Sequence, residues 1–282
     1  MANVVSKPNL KRGNDRLSAV DKFPELPLVM PTQITDDASS ESMQTPNSSR
    51  DIHYRTTRKS PFLPSLFNRF RVLTGAEPDH ITTAYNMLRT RLLQTLNDAH
   101  YRSLAFLSPT ANAGKTLTAV NLSISLSREV NHTVLLVDAD LKHPTIHRYF
   151  DFTPEAGLDD YLTNDEEIEN ILVNPSIPGL VLLPIRRSLP NSSEFLSSPR
   201  MTVLSDELKN RYHSRIIIYD FPPLLACDDA LAFLPNIDAC VLVLEEGKST
   251  ESELKESVKL LRHHNLIGTI VNKSKTPSSR AY

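Results

Sequence analysis

Hydrophobic and polar positions fall into two regimes along this chain. Up to residue 58 the apolar residues are scattered among Ser, Asn, Asp and Thr, with neither a two-residue nor a 3.6-residue period. A stretch such as 35–50 carries too little apolar surface to offset the entropy of ordering, so residues 1–58 read as a disordered arm. Residues 59–78 form a basic and aromatic linker: Phe62, Leu63, Leu66, Phe67, Phe70, Val72 and Leu73, with Arg69 and Arg71 between. Two readings stand for it. It is a short amphipathic segment that docks on a membrane surface or partner, or a lead-in that packs on its own domain, with Pro64 interrupting any helix.

From residue 79 the pattern becomes regular. Asp79 is placed to cap a helix with Ile81, Ala84, Tyr85, Leu88, Leu92 and Leu96 on one face. Strands follow over 103–107, 133–137, 180–183, 215–219, 239–244 and 266–271. Helices are expected over 115–129, 200–212, 228–234 and 250–263, with short helical pieces between 157 and 172. The strands are near-continuous Val, Ile and Leu runs, the mark of a parallel sheet buried on both faces. Their alternation with helices predicts an α/β fold, a doubly wound, mostly parallel sheet in one domain over 79–276, with a short tail at 277–282.

Composition sharpens this reading. The formal charge is −2, which argues against a globally basic nucleic-acid binder. The charge is uneven: 11 Lys and Arg against 7 Asp and Glu through residue 75, then 20 against 26. Cys227 and Cys240 alone make neither a disulfide framework nor a zinc site. No run approaches the roughly 18 uninterrupted apolar residues of a membrane span, and the start lacks an apolar signal core, so a cytoplasmic protein is expected. Glycine is scarce: 7 in 282 residues, about 2.5% against roughly 7% in soluble proteins.

That scarcity matters because the candidate chemistry begins in a phosphate-type loop. The first parallel strand runs into Ser108, Pro109, Thr110, Ala111, Asn112, Ala113, Gly114, Lys115, Thr116 and Leu117, and a helix starts there. In a P-loop, backbone N–H groups cradle the phosphates, the Lys neutralises their oxygens and the Thr hydroxyl holds Mg²⁺. The next strand ends in Asp138, Ala139, Asp140, Leu141, Lys142, His143 and Pro144, two carboxylates at the edge where α/β sheets bind ligands. The strand at 215–219 ends in Asp220, Phe221, Pro222 and Pro223, and such an Asp orients Mg²⁺ and its waters. The three motifs follow one another in the order of a P-loop nucleoside triphosphatase.

At these residues the chain resembles the bacterial tyrosine autokinases of capsule and exopolysaccharide synthesis, within the deviant-Walker P-loop ATPases that also include chromosome-partitioning and septum-placement proteins. The likeness rests on 138–144, on Asp220 to Pro223 with Leu224 and Leu225, on 191–198 before Met201, and on 119–126. The runs at 131–138 and 157–162 resemble the exosortase-associated branch. The resemblance implies ATP and Mg²⁺ as cofactors, bound by Ala111, Asn112, Ala113, Gly114, Lys115, Thr116 and Leu117, with Asn272 reading adenine. It implies Thr116, Asp138 and Asp220 at the metal, and Lys115, Asp138 and Asp140 as catalytic, one of the two carboxylates acting as base. It also implies phosphoryl transfer to tyrosine in cis or between subunits. The expected setting is a membrane polysaccharide copolymerase or chain-length regulator that holds the protein at the inner membrane, with homo-oligomers possible and no nucleic acid. Other readings are a catalytically weakened nucleotide-binding adaptor of the same machinery and a partitioning-type ATPase.

The chain departs from that family at several points. Pro109 takes the place of the first P-loop glycine, and Thr110 and Asn112 stand where relatives carry two more. Asn tolerates a left-handed backbone, but β-branched Thr110 is expected to resist one. Lys142 and His143 replace two arginines. Thr83, Asn86 and Arg89 align with a Glu-x-x-Arg-x-x-Arg pattern linked to ring assembly, so only the last is kept. A tyrosine cluster at the end is reduced to Tyr282.

Overall fold

The computed structural model describes residues 3–5, 58–59, 71–73, 80–212 and 214–274. In chain order the elements are β1 (Asn3–Val5), β2 (Arg58–Lys59), α1 (His80–Asp98), β3 (Ser103–Leu107), α2 (Lys115–Leu126) and β4 (Thr133–Asp138). Three short helices follow, α3 (Ile146–Tyr149), α4 (Leu158–Asn164) and α5 (Ile168–Ile171), then β5 (Val173–Asn174) and β6 (Leu180–Leu183). The rest is α6 (Ser192–Leu196), α7 (Pro199–Arg211), β7 (Arg215–Asp220), α8 (Asp229–Phe233), β8 (Ala239–Glu245), α9 (Glu251–Leu260) and β9 (Leu266–Asn272).

The sheet order is β1-β9-β8-β3-β7-β4-β6-β5-β2. The central strands β9, β8, β3, β7, β4 and β6 are mutually parallel. Alternate residues of each strand serve opposite layers, as the two-residue period requires. Leu104, Phe106, Val134, Leu136, Ile216 and Ile218 pack with α1 and α2 on one face. Ala105, Leu107, Leu135, Val137, Ile217 and Tyr219 pack with α4, α5, α7 and α8 on the other. Tyr85, Leu88, Leu92 and Leu96 of α1 are all buried, so the helical stripe does face the core. The doubly wound, mostly parallel sheet read from the sequence is the fold observed.

Helix boundaries follow local chemistry. The Ser198 hydroxyl accepts from the Met201 N–H at 3.2 Å with Pro199 at the first turn of α7. Thr250 and Glu253 form a capping box at α9. The stretch expected to lack structure contains a strand at each end: Val4 lies opposite Ile270 in an antiparallel pair, and Arg58 pairs parallel with Val173. The rest of that arm, most of the linker, Asp79 and the tail lie outside the described residues. At the linker's end Val72 is buried in the α1–α2 layer. Asn121 of α2 accepts from the Leu73 N–H at 2.9 Å and donates to the Arg71 carbonyl at 3.2 Å. These three residues therefore pack on their own domain.

The topology places the chemistry. From β3 the chain crosses β7 to reach β4, and from β7 it crosses β3 to reach β8. The strand order thus reverses around the β3/β7 pair, and a crevice at the carboxyl ends of strands is where such sheets bind ligands.

Candidate functional site

Three neighbouring strands, β3, β7 and β4, deliver the three motifs to one edge. Asp138 and Asp220 lie opposite each other in the β4–β7 register. The Leu224 and Leu225 N–H groups donate to the Ser108 and Pro109 carbonyls at 2.8 and 3.1 Å. The Pro222-Pro223 turn is thereby laced to the start of the phosphate-type loop.

Lys115 and Thr116 open α2 and meet Asp220. Lys115 Nζ donates to Asp220 Oδ1 at 2.5 Å, and the Thr116 hydroxyl donates to Asp220 Oδ2 at 2.7 Å. Lys115 and Asp220 are both buried, so each charge depends on the other. Gly114 caps the helix with φ +87°, and a Cβ there would lie 2.1 Å from Asn272 Nδ2. Only glycine fits, on conformation and on space alike. Asn112 is left-handed at φ 66°, whereas Thr110 is not among the positive-φ residues described. The expected conflict at Thr110 does not arise, since its φ is not positive, and its carbonyl accepts from the Ser108 hydroxyl at 2.9 Å. Ala111 is exposed, Ala113 buried and Leu117 half-buried.

The acidic turn after β4 is held by its own carboxylates. Asp138 Oδ2 accepts from the Thr145 and Ile146 N–H groups at 2.9 and 3.0 Å, and Oδ1 accepts from the Asp140 N–H at 3.3 Å. Asp140 Oδ1 accepts from the His143 N–H at 2.9 Å. Asp138 is wholly buried, and burial, with Asp220 and Asp140 nearby, pushes its pKa up to about 8 despite the backbone donors. Asp140 remains partly exposed; burial again raises its pKa, against a neighbouring Lys115 that lowers it. The structure thus separates two carboxylates, either of which the sequence left as the base. Asp138 is spent on its own turn, and Asp140 keeps an accessible side chain. Lys142 reaches Asp229 Oδ1 at 3.3 Å, tying the turn to buried α8, while the His143 side chain is largely exposed.

Asn272, at the end of β9, is engaged by the loop itself: its Nδ2 donates to the Ala113 carbonyl at 3.0 Å. Beside it lies a residue that the sequence reading passed over. Lys273 Nζ donates to the Asn112 carbonyl at 2.6 Å and ion-pairs with Glu245 Oε2 at 3.0 Å. Neither Lys273 nor Glu245 belongs to a periodic or spaced motif, and only the strand-end position of the Asn-Lys pair hinted at them. Asp229 was likewise missed, as the second of two aspartates, Asp228 and Asp229, in an ordinary helix start.

The donor chemistry suits a magnesium nucleotide. Thr116 and Asp220 offer adjacent hard oxygens, and the loop runs into the N-terminus of α2. Among the described residues no group of three or more His, Cys, Asp or Glu is placed to hold a metal ion; Mg²⁺ at phosphates uses one or two carboxylates instead.

Comparison with known proteins gives the same picture. A family model described as an AAA domain matches residues 104–260. EpsB of Ralstonia solanacearum is 31% identical over 183 residues, 65% of this chain and 24% of that one. The tyrosine-protein kinase YwqD of Bacillus subtilis is 29% identical over 214 residues, 75% of this chain and 89% of that one. The chain spans about a quarter of the length of the first curated relatives it matches. Among solved structures, the kinase domain of the Escherichia coli tyrosine kinase Etk superposes with a TM-score of 0.66 at 27% identity, over 80% of this chain and 91% of that one. The septum site-determining protein MinD from Pyrococcus horikoshii, complexed with Mg-ADP, shares the fold at 21% identity and a TM-score of 0.51, over 60% and 68%.

Proposed function

This chain belongs to the AAA-domain family, as a P-loop ATPase-type fold, and from that membership we propose that it is an ATP-dependent protein-tyrosine kinase that phosphorylates itself or its own copies. The observation that carries the reading is the convergence of Lys115, Thr116, Asp220 and Asp140 on one sheet edge. The resemblance to tyrosine-protein kinases across most of the domain supports it.

Each residue has a task. The amides from Asn112 to Thr116 hold the phosphates, and Lys115 neutralises them on moving from Asp220 to phosphate oxygens. Thr116 and Asp220 are the residues that would hold Mg²⁺, which when bound spreads the charge of the β- and γ-phosphates. Asp140 accepts the proton of the attacking tyrosine hydroxyl as the oxygen–phosphorus bond forms and ADP leaves; burial, which raises its basicity, suits that task. Asp138 shapes the turn that presents Asp140. The wider setting proposed is exopolysaccharide or capsule synthesis, with a membrane copolymerase as partner. No helix among the described residues is long and apolar enough to cross a membrane.

The test is to incubate purified protein with Mg-ATP and map phosphotyrosine by mass spectrometry. The wild type acquires it, Lys115→Met does not, and Asp140→Asn acquires it at least about 100-fold more slowly. Phosphate uptake that ignores Lys115 would overturn the assignment.

A further inference from the structure

We propose that Lys273 is a positioning residue that sets the phosphate-binding loop, with Glu245 holding it in place. The inference rests on the nucleotide-binding reading above and goes beyond it, because it explains how a loop short of glycine keeps its shape.

The loop needs a left-handed residue at position 112, and asparagine fills that place at φ 66°. Such a backbone costs a non-glycine residue about 1 kcal/mol, so something outside the loop must favour it. The end of β9 supplies two donors. Lys273 Nζ holds the Asn112 carbonyl at 2.6 Å, and Asn272 Nδ2 holds the Ala113 carbonyl at 3.0 Å. In a trans peptide the C=O and the following N–H point in opposite directions. Fixing the carbonyls of residues 112 and 113 therefore turns the N–H groups of Ala113 and Gly114 away from β9. Those two amides belong to the set assigned to the phosphates.

Lys273 is itself prepared for this contact. It is left-handed at φ 58°, and its backbone N–H donates to Asn272 Oδ1 at 2.8 Å, which fixes the Asn272 side chain at the strand end. Glu245 lies opposite Asn272 in the β8–β9 register and is nearly buried. It pairs with Lys273 at 3.0 Å and with Lys248 at 2.8 Å. With its Nζ shared between the Asn112 carbonyl and the Glu245 carboxylate, Lys273 acts through the loop rather than as a second phosphate cation.

The experiment combines titration of a fluorescent ADP analogue with hydrogen exchange at the Ala113 and Gly114 amides in nucleotide-free protein. Lys273→Met should weaken nucleotide binding about tenfold and speed exchange at both amides. Adding Asn112→Gly, which removes the backbone cost, should restore most of the affinity. Lys273→Arg should retain most of it. If the double variant stays as weak as Lys273→Met, Lys273 is a phosphate ligand and the proposal fails. Unchanged exchange and affinity in Lys273→Met would also overturn it. Wild-type protein that binds no nucleotide overturns the functional reading instead, and amide exchange still decides the positioning role.

Discussion

The two loops that build the site are held by different parts of the chain. The turn after β4 carries bonds of its own, joining Asp138 to Thr145 and Ile146 and Asp140 to His143 within eight residues, and Ser188 and Leu189 add bonds to the Lys142 and Leu141 carbonyls, both at 2.9 Å. The loop after β3 is held from far along the chain, by Asn272 and Lys273, about 160 residues away in sequence. The first kind of loop draws part of its hold from residues within it. The second depends on the last strand being in place, so nucleotide binding is coupled to completion of the sheet at β9.

The largest expected effect lies at the meeting point of loop and strand. Gly114→Ala puts a methyl group 2.1 Å from Asn272 Nδ2 on a left-handed backbone. It should cost about 2 kcal/mol in urea unfolding and abolish binding of the ADP analogue. A variant that still bound nucleotide normally would remove the claim that β9 braces this loop.

Next comes the acidic turn after β4. Asp138→Ala strips partners from two backbone N–H groups and should cost about 2 kcal/mol. Its charge gives a second test. Asp138 rises from the ordinary 3.8 to about 8 on folding, so the folded chain binds the extra proton between those values. Stability then falls as pH climbs through that window, and levels off above it. In chelated buffer Asp138→Asn should flatten the decline of Tm from pH 5 to pH 8. A decline as steep as in the wild type would contradict the burial argument.

Smaller effects complete the contrast. Lys142→Met leaves buried Asp229 without its ion pair and should cost about 1 kcal/mol, discounted because Lys142 is one-third exposed. Thr110→Gly, at a position with ordinary angles, should change nucleotide affinity less than about twofold. A large gain from that glycine would mean that the loop is strained where the backbone shows no strain.

The same contrast explains what the sequence made legible. Strands such as 133–137 and 215–219 declared themselves because burial on both faces demands unbroken apolar runs. Lys115, Thr116, Asp138 and Asp220 stood out because their positions at strand ends are local facts. The division of labour between Asp138 and Asp140 was not readable, since it depends on which carboxylate the following backbone turns toward. The tie from Lys273 to Asn112 was still less so. It joins residues 161 apart by a side chain and a carbonyl, and a carbonyl has no sequence signature. Scarcity of glycine did raise the right question, but it pointed at Thr110 as well as Asn112, and only Asn112 adopts the left-handed backbone.

On the reading proposed above, this externally braced loop still turns over ATP. The most direct measurement is a single-turnover reaction with protein in excess over γ-labelled Mg-ATP, quenched over time, with the label assigned to ATP, free phosphate or protein tyrosine. Label should move from ATP to tyrosine in the wild type and stay on ATP in Lys115→Met. Label that stays on bound ATP in the wild type would contradict that reading and leave the protein a nucleotide-binding adaptor.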